Sequence, residues 1–146
     1  ATPEISMAAS DFGRNKTFVE FISSELRRLA EKYESTGKGI IMEGRQIGTE
    51  VFPDAEVKIF LTANLQTRAT RRLAQYQAKG IQKTQEQVIN ETSMRDEQDM
   101  SRESGALPRN PEQLGYEIID NSDMNEETTL QSILDILKQK KIWPTN

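Results

Sequence analysis

The spacing of apolar residues predicts an amphipathic helix near the start of the chain. Between residues 18 and 33 large apolar side chains recur at helical spacing, and Thr17-Phe18-Val19-Glu20 matches a capping box at the start of this run. The apolar positions are Phe18, Phe21, Ile22, Leu26, Leu29 and Tyr33. The glycine-containing segment 36–39 ends the predicted helix.

Three short apolar runs predict strands. Ile40-Ile41-Met42 is continuous and is followed by Glu43-Gly44-Arg45. Val57–Thr62 is rich in β-branched and aromatic residues, and Tyr116–Asp120 is the third run. Continuous apolar character is typical of parallel strands that are buried on both faces.

Polar helices are predicted between the second and third strands. One extends from about Leu65 to Lys79, and the next begins near Thr84 and stays polar through Arg102. Residues 65–102 therefore resemble a lid-like helical hairpin rather than part of a core. A last helix is predicted from about Asn125 to Lys141, with one apolar face. That face consists of Leu130, Ile133, Leu134 and Leu137.

This order of elements predicts an α/β fold with a parallel sheet and flanking helices. Helix, strand, strand, helical hairpin, strand and helix is the order expected of an open sheet with crossover connections. In such sheets, ligands bind beyond the carboxyl ends of the strands. Here those ends carry Glu43-Gly44-Arg45, Thr62-Ala63-Asn64 and Asp120-Asn121-Ser122.

The composition excludes several kinds of catalytic and metal-binding site. The 146 residues suit one domain, and the absence of Cys and His excludes disulfides, Cys/His zinc sites, thiol nucleophiles and imidazole bases. A net charge of −4 argues against nucleic acid or a membrane surface as a partner. Without a signal region or a long apolar run, we expect a soluble, cytoplasmic protein.

Arginines stand at positions that suit an oxyanion. Arg45 follows the first predicted strand in a glycine-containing turn, although a salt bridge at a strand end explains that position equally well. Arg95, Asp99 and Arg102 lie at i, i+4 and i+7 on one helical face, as they would in an exposed ion-pair ladder. Several arginines at one sheet edge favour phosphoryl transfer, which depends on positioning and charge neutralisation.

One stretch of the chain closely resembles bacterial cytidylate (CMP/dCMP) kinases. It begins Glu43-Gly44-Arg45-Gln46-Ile47-Gly48-Thr49-Glu50-Val51-Phe52-Pro53 and continues to Ala63. Residues 68–72 and 95–102 resemble the lid and the nucleotide-binding helix of that family. The resemblance extends from about Glu4 to Lys140. It implies a P-loop kinase-like fold and transfer of the γ-phosphoryl group of ATP to CMP or dCMP with Mg²⁺.

The resemblance also implies roles on the acceptor side. Arg45 and Arg102 would bind the phosphate of the acceptor nucleotide, and Arg95 and Asp99 would hold its ribose. Ser10 would contact the cytosine.

On the donor side, the resemblance implies that Arg68 and Arg71 close over ATP from the lid. Arg45, Arg71 and Arg102 would then be the catalytic arginines. Glu43 would contact the metal through water, with no direct metal ligand among these residues. Nucleotides are the implied partners, and no residue present requires a further cofactor.

Some positions depart from the family pattern. Gln46 replaces an Asp that reads the cytosine amino group, and because an amide can also donate, UMP is an alternative acceptor. Val19 and Gln98 stand where the family has arginines. These departures leave a second reading open, that of a non-catalytic nucleotide-binding module.

The phosphate-binding loop of the family is missing from the sequence. No stretch of the 146 residues matches G-x-x-x-x-G-K-[ST]. We therefore expect residues 1–146 to form a single, partial kinase domain without the N-terminal strands and the P-loop. Such a fragment would have an uncovered apolar edge, which predicts self-association or pairing with the missing N-terminal segment.

Overall fold

The computed structural model describes residues 15–101 and 106–142. The chain divides into two compact units, residues 1–55 with 99–108 and residues 56–98 with 109–146. The elements of the described part, in chain order, are α1 (Lys16–Glu34), a π-helical turn (Ile47–Val51), β1 (Lys58–Thr62), α2 (Leu65–Ala78), α3 (Gln85–Met100), a 3-10 turn (Pro111–Leu114), β2 (Tyr116–Asp120) and α4 (Glu126–Gln139).

In the second unit, β1 and β2 form a parallel pair. The register runs from Lys58 opposite Tyr116 to Thr62 opposite Asp120. The rings of Phe60 and Tyr116 meet edge to face with their centroids 6.0 Å apart. Parallel strands need a long crossover, and α2 and α3 lie between them in the chain. The expected α/β fold with a parallel sheet and flanking helices is confirmed, and β2 has the predicted bounds.

Helices α2 and α3 form where the sequence places them. The Asn64 side chain caps α2 by accepting from the Thr67 amide at 2.8 Å. Thr84 and Gln87 form a reciprocal cap for α3, since each donates its amide to the other's side chain, at 2.9 and 3.2 Å. Ala69 and Val88 are fully buried and are the apolar anchors of the two helices.

Helix α4 is also confirmed, although its apolar face is less buried than the pattern predicts. Asn125 and Thr128 form a capping box at its start. Leu130 of the predicted apolar face is 55 % exposed, and α4, which is described in full, contains no fully buried residue. The Lys140 ammonium lies 2.7 Å from a carboxylate oxygen of Glu117, which ties the helix end to β2.

The first helix is present, but its predicted start and its predicted core face are wrong. Its N-cap is Asn15, which accepts from the Phe18 amide at 3.1 Å, and Thr17 lies inside the first turn. Asn is the stronger capping residue, which explains the earlier start. The buried side chains are Val19, Ser23 and Ala30, which share one face of α1, and the helix also contacts the π-helical turn. The predicted stripe is largely exposed instead.

The predicted first strand, residues 40–42, is wrong. The segment is not paired with any other strand of the described residues, and Ile41 is 85 % exposed. A strand exists only through hydrogen bonds to a neighbour, and no strand lies elsewhere in the described part of this unit. Arg45 therefore follows an unpaired segment rather than a strand end. None of the described helices is both long enough and apolar enough to cross a membrane.

Candidate functional site

Arg45 and Gln46 lie in a turn that requires glycine at position 44. Gly44 has a φ of +154°, and a Cβ there would lie 2.9 Å from the Ile47 Cγ1 atom. Real Cβ atoms do not approach other atoms so closely, so a larger residue would displace Ile47. The carbonyl of Gln46 then accepts from the Glu50 amide at 2.9 Å and the Val51 amide at 3.2 Å, which closes the π-helical turn.

Arg45 forms an ion pair with Asp99, which lies near the end of α3 in the same unit. The pair joins Nη1 of Arg45 to Oδ2 of Asp99. Asp99 is only 1 % exposed, whereas 36 % of the Arg45 side chain is exposed. The buried carboxylate therefore orients a guanidinium that solvent and a charged ligand can still reach. Arg45 thus forms a salt bridge, as one of the two interpretations of its position predicts. Its partner, Asp99, is buried rather than on the surface.

Of the other residues predicted on the acceptor side, two are described by the structure and two are not. Arg95 is exposed on α3, one helical turn before Asp99. Gln46 is half-buried. Ser10 and Arg102 lie outside the described residues. The structure thus brings together Arg45 and Asp99 out of the predicted set.

In the second unit, Arg68 is held by two elements at the base of the hairpin. Its Nε donates to the Ala63 carbonyl just after β1 at 2.8 Å, and its Nη1 donates to Asp96 of α3 at 2.7 Å. These contacts fix the guanidinium beside the carboxyl end of β1. Asp96 was not predicted, because no sequence pattern shows that these two helices come together at this point.

Arg71 is bound to the loop that follows β2. Its Nη1 donates to the Asn121 side chain at 3.0 Å, and its Nη2 donates to the carbonyls of Asn121 and Met124 at 2.8 and 3.0 Å. A nucleotide that recruits Arg71 must therefore replace these hydrogen bonds.

The same loop contains a carboxylate with a perturbed pKa. Hydrogen bonds from the Ser122 hydroxyl and amide, at 2.5 and 2.9 Å, lower the pKa of Asp120 below its ordinary value. The charged form of this carboxylate is therefore favoured at the carboxyl end of β2.

Acidic side chains in the described residues do not form a cage for a metal ion. No three of them cluster within residues 15–101 and 106–142, and Glu43 is exposed. Mg²⁺ in phosphoryl-transfer sites is bound by one or two carboxylates together with water and substrate phosphates, so it does not need such a cage. The water-mediated metal contact expected of Glu43 stays a prediction.

Comparison with known proteins decides the family. The sequence model of the family described as cytidylate kinase matches residues 1–139. The chain belongs to the cytidylate kinase family. This confirms the resemblance found in the sequence, and the parallel pair of β1 and β2 agrees with the P-loop kinase-like fold of that family.

Curated relatives named cytidylate kinase support the same assignment. The proteins of Thermosipho melanesiensis and Thermotoga petrophila are 35 % and 38 % identical over 139 residues, and each match covers 95 % of this chain and 60 % of the relative. The protein of Caldicellulosiruptor bescii is 37 % identical over 134 residues, with 92 % of this chain and 56 % of the relative covered. The chain thus spans about 60 % of the length of the relatives from Thermosipho melanesiensis and Thermotoga petrophila.

Proposed function

We propose that this chain carries the acceptor site and the lid of an ATP-dependent cytidylate kinase. In this reaction an oxygen of the CMP or dCMP phosphate attacks the γ-phosphorus of ATP, the bond to the β-phosphate oxygen breaks, and the products are ADP and CDP or dCDP. The observation that carries the proposal is the Arg45 guanidinium, oriented by buried Asp99 and placed after the Gly44 turn. Membership in the cytidylate kinase family supports it.

The acceptor phosphate is the ligand that Arg45 suits best. A planar guanidinium binds phosphate oxygens through two parallel hydrogen bonds, and its fixed orientation lowers the entropy cost of binding. We propose that Arg102 provides the second cation, since the two together neutralise the acceptor phosphate. Arg95 is proposed to hold the ribose, buried Asp99 is proposed to act through Arg45, and Ser10 is proposed to contact the base.

The donor side of the proposal rests on the lid, residues 65–102. Phosphoryl transfer passes through a loose transition state whose charge must be neutralised, and one arginine contributes about 10³–10⁵ in rate. Arg68 is already held beside the end of β1, so we propose that it binds the phosphates of ATP, with Arg71 as the second lid arginine. Because the 146 residues contain no P-loop motif, that element is expected from outside this sequence.

The identity of the base depends on Gln46. Its side-chain amide donates as well as accepts, so it can pair with the ring nitrogen and carbonyl of cytosine or with the carbonyls of uracil. Cytosine is favoured by family membership, and UMP is the competing acceptor. A non-catalytic nucleotide-binding module would bind CMP without forming CDP even when a P-loop-containing segment of a cytidylate kinase is added, so an assay of CDP formation from CMP and Mg-ATP with that segment present separates this alternative from a kinase.

Exposed apolar side chains favour a further contact for this protein. Phe21 and Tyr33 on α1 and Leu61 on β1 are all more than half exposed. We propose that they pack against the segment of the longer cytidylate kinases that this chain does not span. In its absence the chain is expected to self-associate, and sedimentation velocity at rising concentration tests this. A monomer at all concentrations would contradict the expectation.

The experiment that tests the acceptor site compares CMP with cytidine. If Arg45 binds the phosphate, loss of that group weakens binding by about tenfold or more, given about 1.5–3 kcal/mol for a hydrogen bond to a charged group. Arg45→Met should lower the affinity for CMP toward that for cytidine, and the difference that remains is assigned to Arg102. Arg28→Met is the matched control, because Arg28 pairs with exposed Glu25 outside the site. Equal affinity for CMP and cytidine would contradict the proposal.

A further inference from the structure

Arg27 on α1 binds the backbone at the end of the π-helical turn that follows Gln46. Its Nε donates to the Val51 carbonyl at 2.8 Å, and its Nη2 donates to the Glu50 carbonyl. The last carbonyls of a helical turn lack partners within the turn and carry partial negative charge. A guanidinium that binds two of them in succession is a C-terminal cap for this turn.

The residues that Arg27 caps are the ones that fix Gln46. The amides of Glu50 and Val51 donate to the Gln46 carbonyl, while their carbonyls accept from Arg27. The backbone of Glu50 and Val51 therefore links the guanidinium of Arg27 to the carbonyl of Gln46. Arg45, the partner of Asp99, directly precedes Gln46. A change in the turn is thus transmitted to both side chains.

The packing of α1 allows this close approach. Val19, Ser23, Arg27 and Ala30 lie on one face of the helix, at the spacing i, i+4, i+8 and i+11. Three of these residues are small and buried, and Arg27 on the same face contacts the turn 47–51 through its two hydrogen bonds. Arg27 is the long side chain among them, and its charge-assisted hydrogen bonds satisfy carbonyls at the edge of a buried region.

We propose that Arg27 is a positioning residue for the acceptor site. It caps the turn 47–51 and so holds Gln46 and Arg45 where the base and the phosphate of a nucleoside monophosphate would bind. This inference rests on the proposed function. Neither composition nor helical periodicity predicts this role of Arg27. The residue lies on a helix that precedes the turn in the chain, and it acts on the acceptor site through the turn.

The test uses three variants of the full chain. Arg27→Met removes the charge and both hydrogen bonds but keeps most of the stem. Arg27→Lys keeps the charge but lacks the fork that spans two carbonyls. Arg28→Met is the matched control, because the neighbouring Arg28 pairs with Glu25 of the same helix, at 2.8 Å. Each variant is compared in amide hydrogen exchange by NMR and in its dissociation constants for CMP and UMP.

The inference predicts a local and a functional change together. Arg27→Met should speed exchange of the Glu50 and Val51 amides by about tenfold or more, with exchange in β1 and β2 unchanged. It should also weaken CMP binding by about tenfold and alter the ratio of CMP to UMP affinity, because displacements of about 1 Å at a binding group are costly. Arg27→Lys should lie between Arg27→Met and the unmodified protein, and Arg28→Met should match the unmodified protein.

Three results would overturn the inference, and they differ from one another. Unchanged exchange at the turn would show that Arg27 is not a cap. Faster exchange with unchanged affinity and an unchanged CMP to UMP ratio would show a cap that is structural only. An unmodified protein that binds neither nucleotide would contradict the proposed function, and the positioning role with it, while the exchange data would still report on the cap.

Discussion

Replacing Arg45 should destabilise the protein more than replacing Asp99, because the two partners of this ion pair differ in exposure. Asp99 is 1 % exposed, and the Arg45 side chain is 36 % exposed. Arg45→Met takes the cation away from a buried carboxylate. Such losses cost about 3–5 kcal/mol for a fully buried pair, and partial exposure of Arg45 reduces our expectation to about 2–3 kcal/mol. Asp99→Asn keeps the shape and leaves a cation that water partly solvates, so we expect about 1 kcal/mol.

The free energy of unfolding is measured by urea titration with circular dichroism on both single variants and on the double variant. Each single variant already removes the ion pair between Arg45 and Asp99. The loss in free energy of unfolding of the double variant should therefore be smaller than the sum of the losses of the two single variants. Arg28→Met is the control, since the pair of Arg28 with Glu25 is exposed and its loss should change the free energy of unfolding little. Equal losses for Arg45→Met and Asp99→Asn, or an additive double variant, would refute the reasoning.

Three further predictions concern the second unit. Arg68→Ala should leave CMP affinity unchanged in calorimetry, because Arg68 is assigned to the donor nucleotide, and a loss would count against the lid assignment. Ser122→Ala should raise the pKa of Asp120 toward its ordinary 3.8 in an NMR titration, because the hydroxyl hydrogen bond, the larger cause of the lowered pKa, is lost while the backbone amide bond stays; an unchanged pKa would contradict this cause. Val88→Ala, at a fully buried position, should lower the free energy of unfolding by about 1.5–3 kcal/mol in urea titration. A loss below about 0.5 kcal/mol would show that the site does not need the larger side chain.

The lowered pKa of Asp120 also gives the sign of a pH effect. A carboxyl group whose pKa is lower in the folded state stabilises that state above its ordinary pKa of 3.8. This contribution is lost as the pH falls from about that value through the lowered pKa of the folded protein. Ser122→Ala should therefore lose less stability between neutral and acidic pH than the unmodified protein, and an equal loss would contradict the linkage.

Local sequence signals predicted the second unit well. Tyr116–Asp120 is bounded by turn residues and is β-branched and aromatic in character, so its strand matches the observed bounds. The side chains of Asn64 and Asn125 each accept a hydrogen bond from the amide three residues later. Because this capping contact is local, the sequence alone places the starts of α2 and α4 closely.

The failures in the first unit come from tertiary contacts. Ile40–Met42 has the composition of a buried strand, but strand formation needs a neighbour that the described residues of this unit do not supply. The large apolar residues of α1 predict the core face, yet the buried residues of the helix are Val19, Ser23 and Ala30. Periodicity predicts that a helix is amphipathic, and it does not predict which element is present to cover each face.

The candidate site was predicted only in part, because its contacts also join residues that are distant in sequence. Arg45 and Asp99 were each singled out from local pattern and resemblance, and the structure places them in contact. The contact of Arg45 with Asp99 joins residues that are distant in sequence, so a local pattern does not reveal it. The same holds for Arg27 with the Val51 carbonyl and for Asp96 with Arg68, because neither pair shares an element.

The central claim is that this chain contains an acceptor site for cytidine monophosphate, and calorimetric titration with CMP tests it most directly. UMP is the control, because Gln46 is the departure that leaves the base open. The account predicts saturable binding of CMP that is tighter than binding of UMP. Binding of neither nucleotide would contradict the claim, and tighter binding of UMP would contradict the assignment of cytosine as the base.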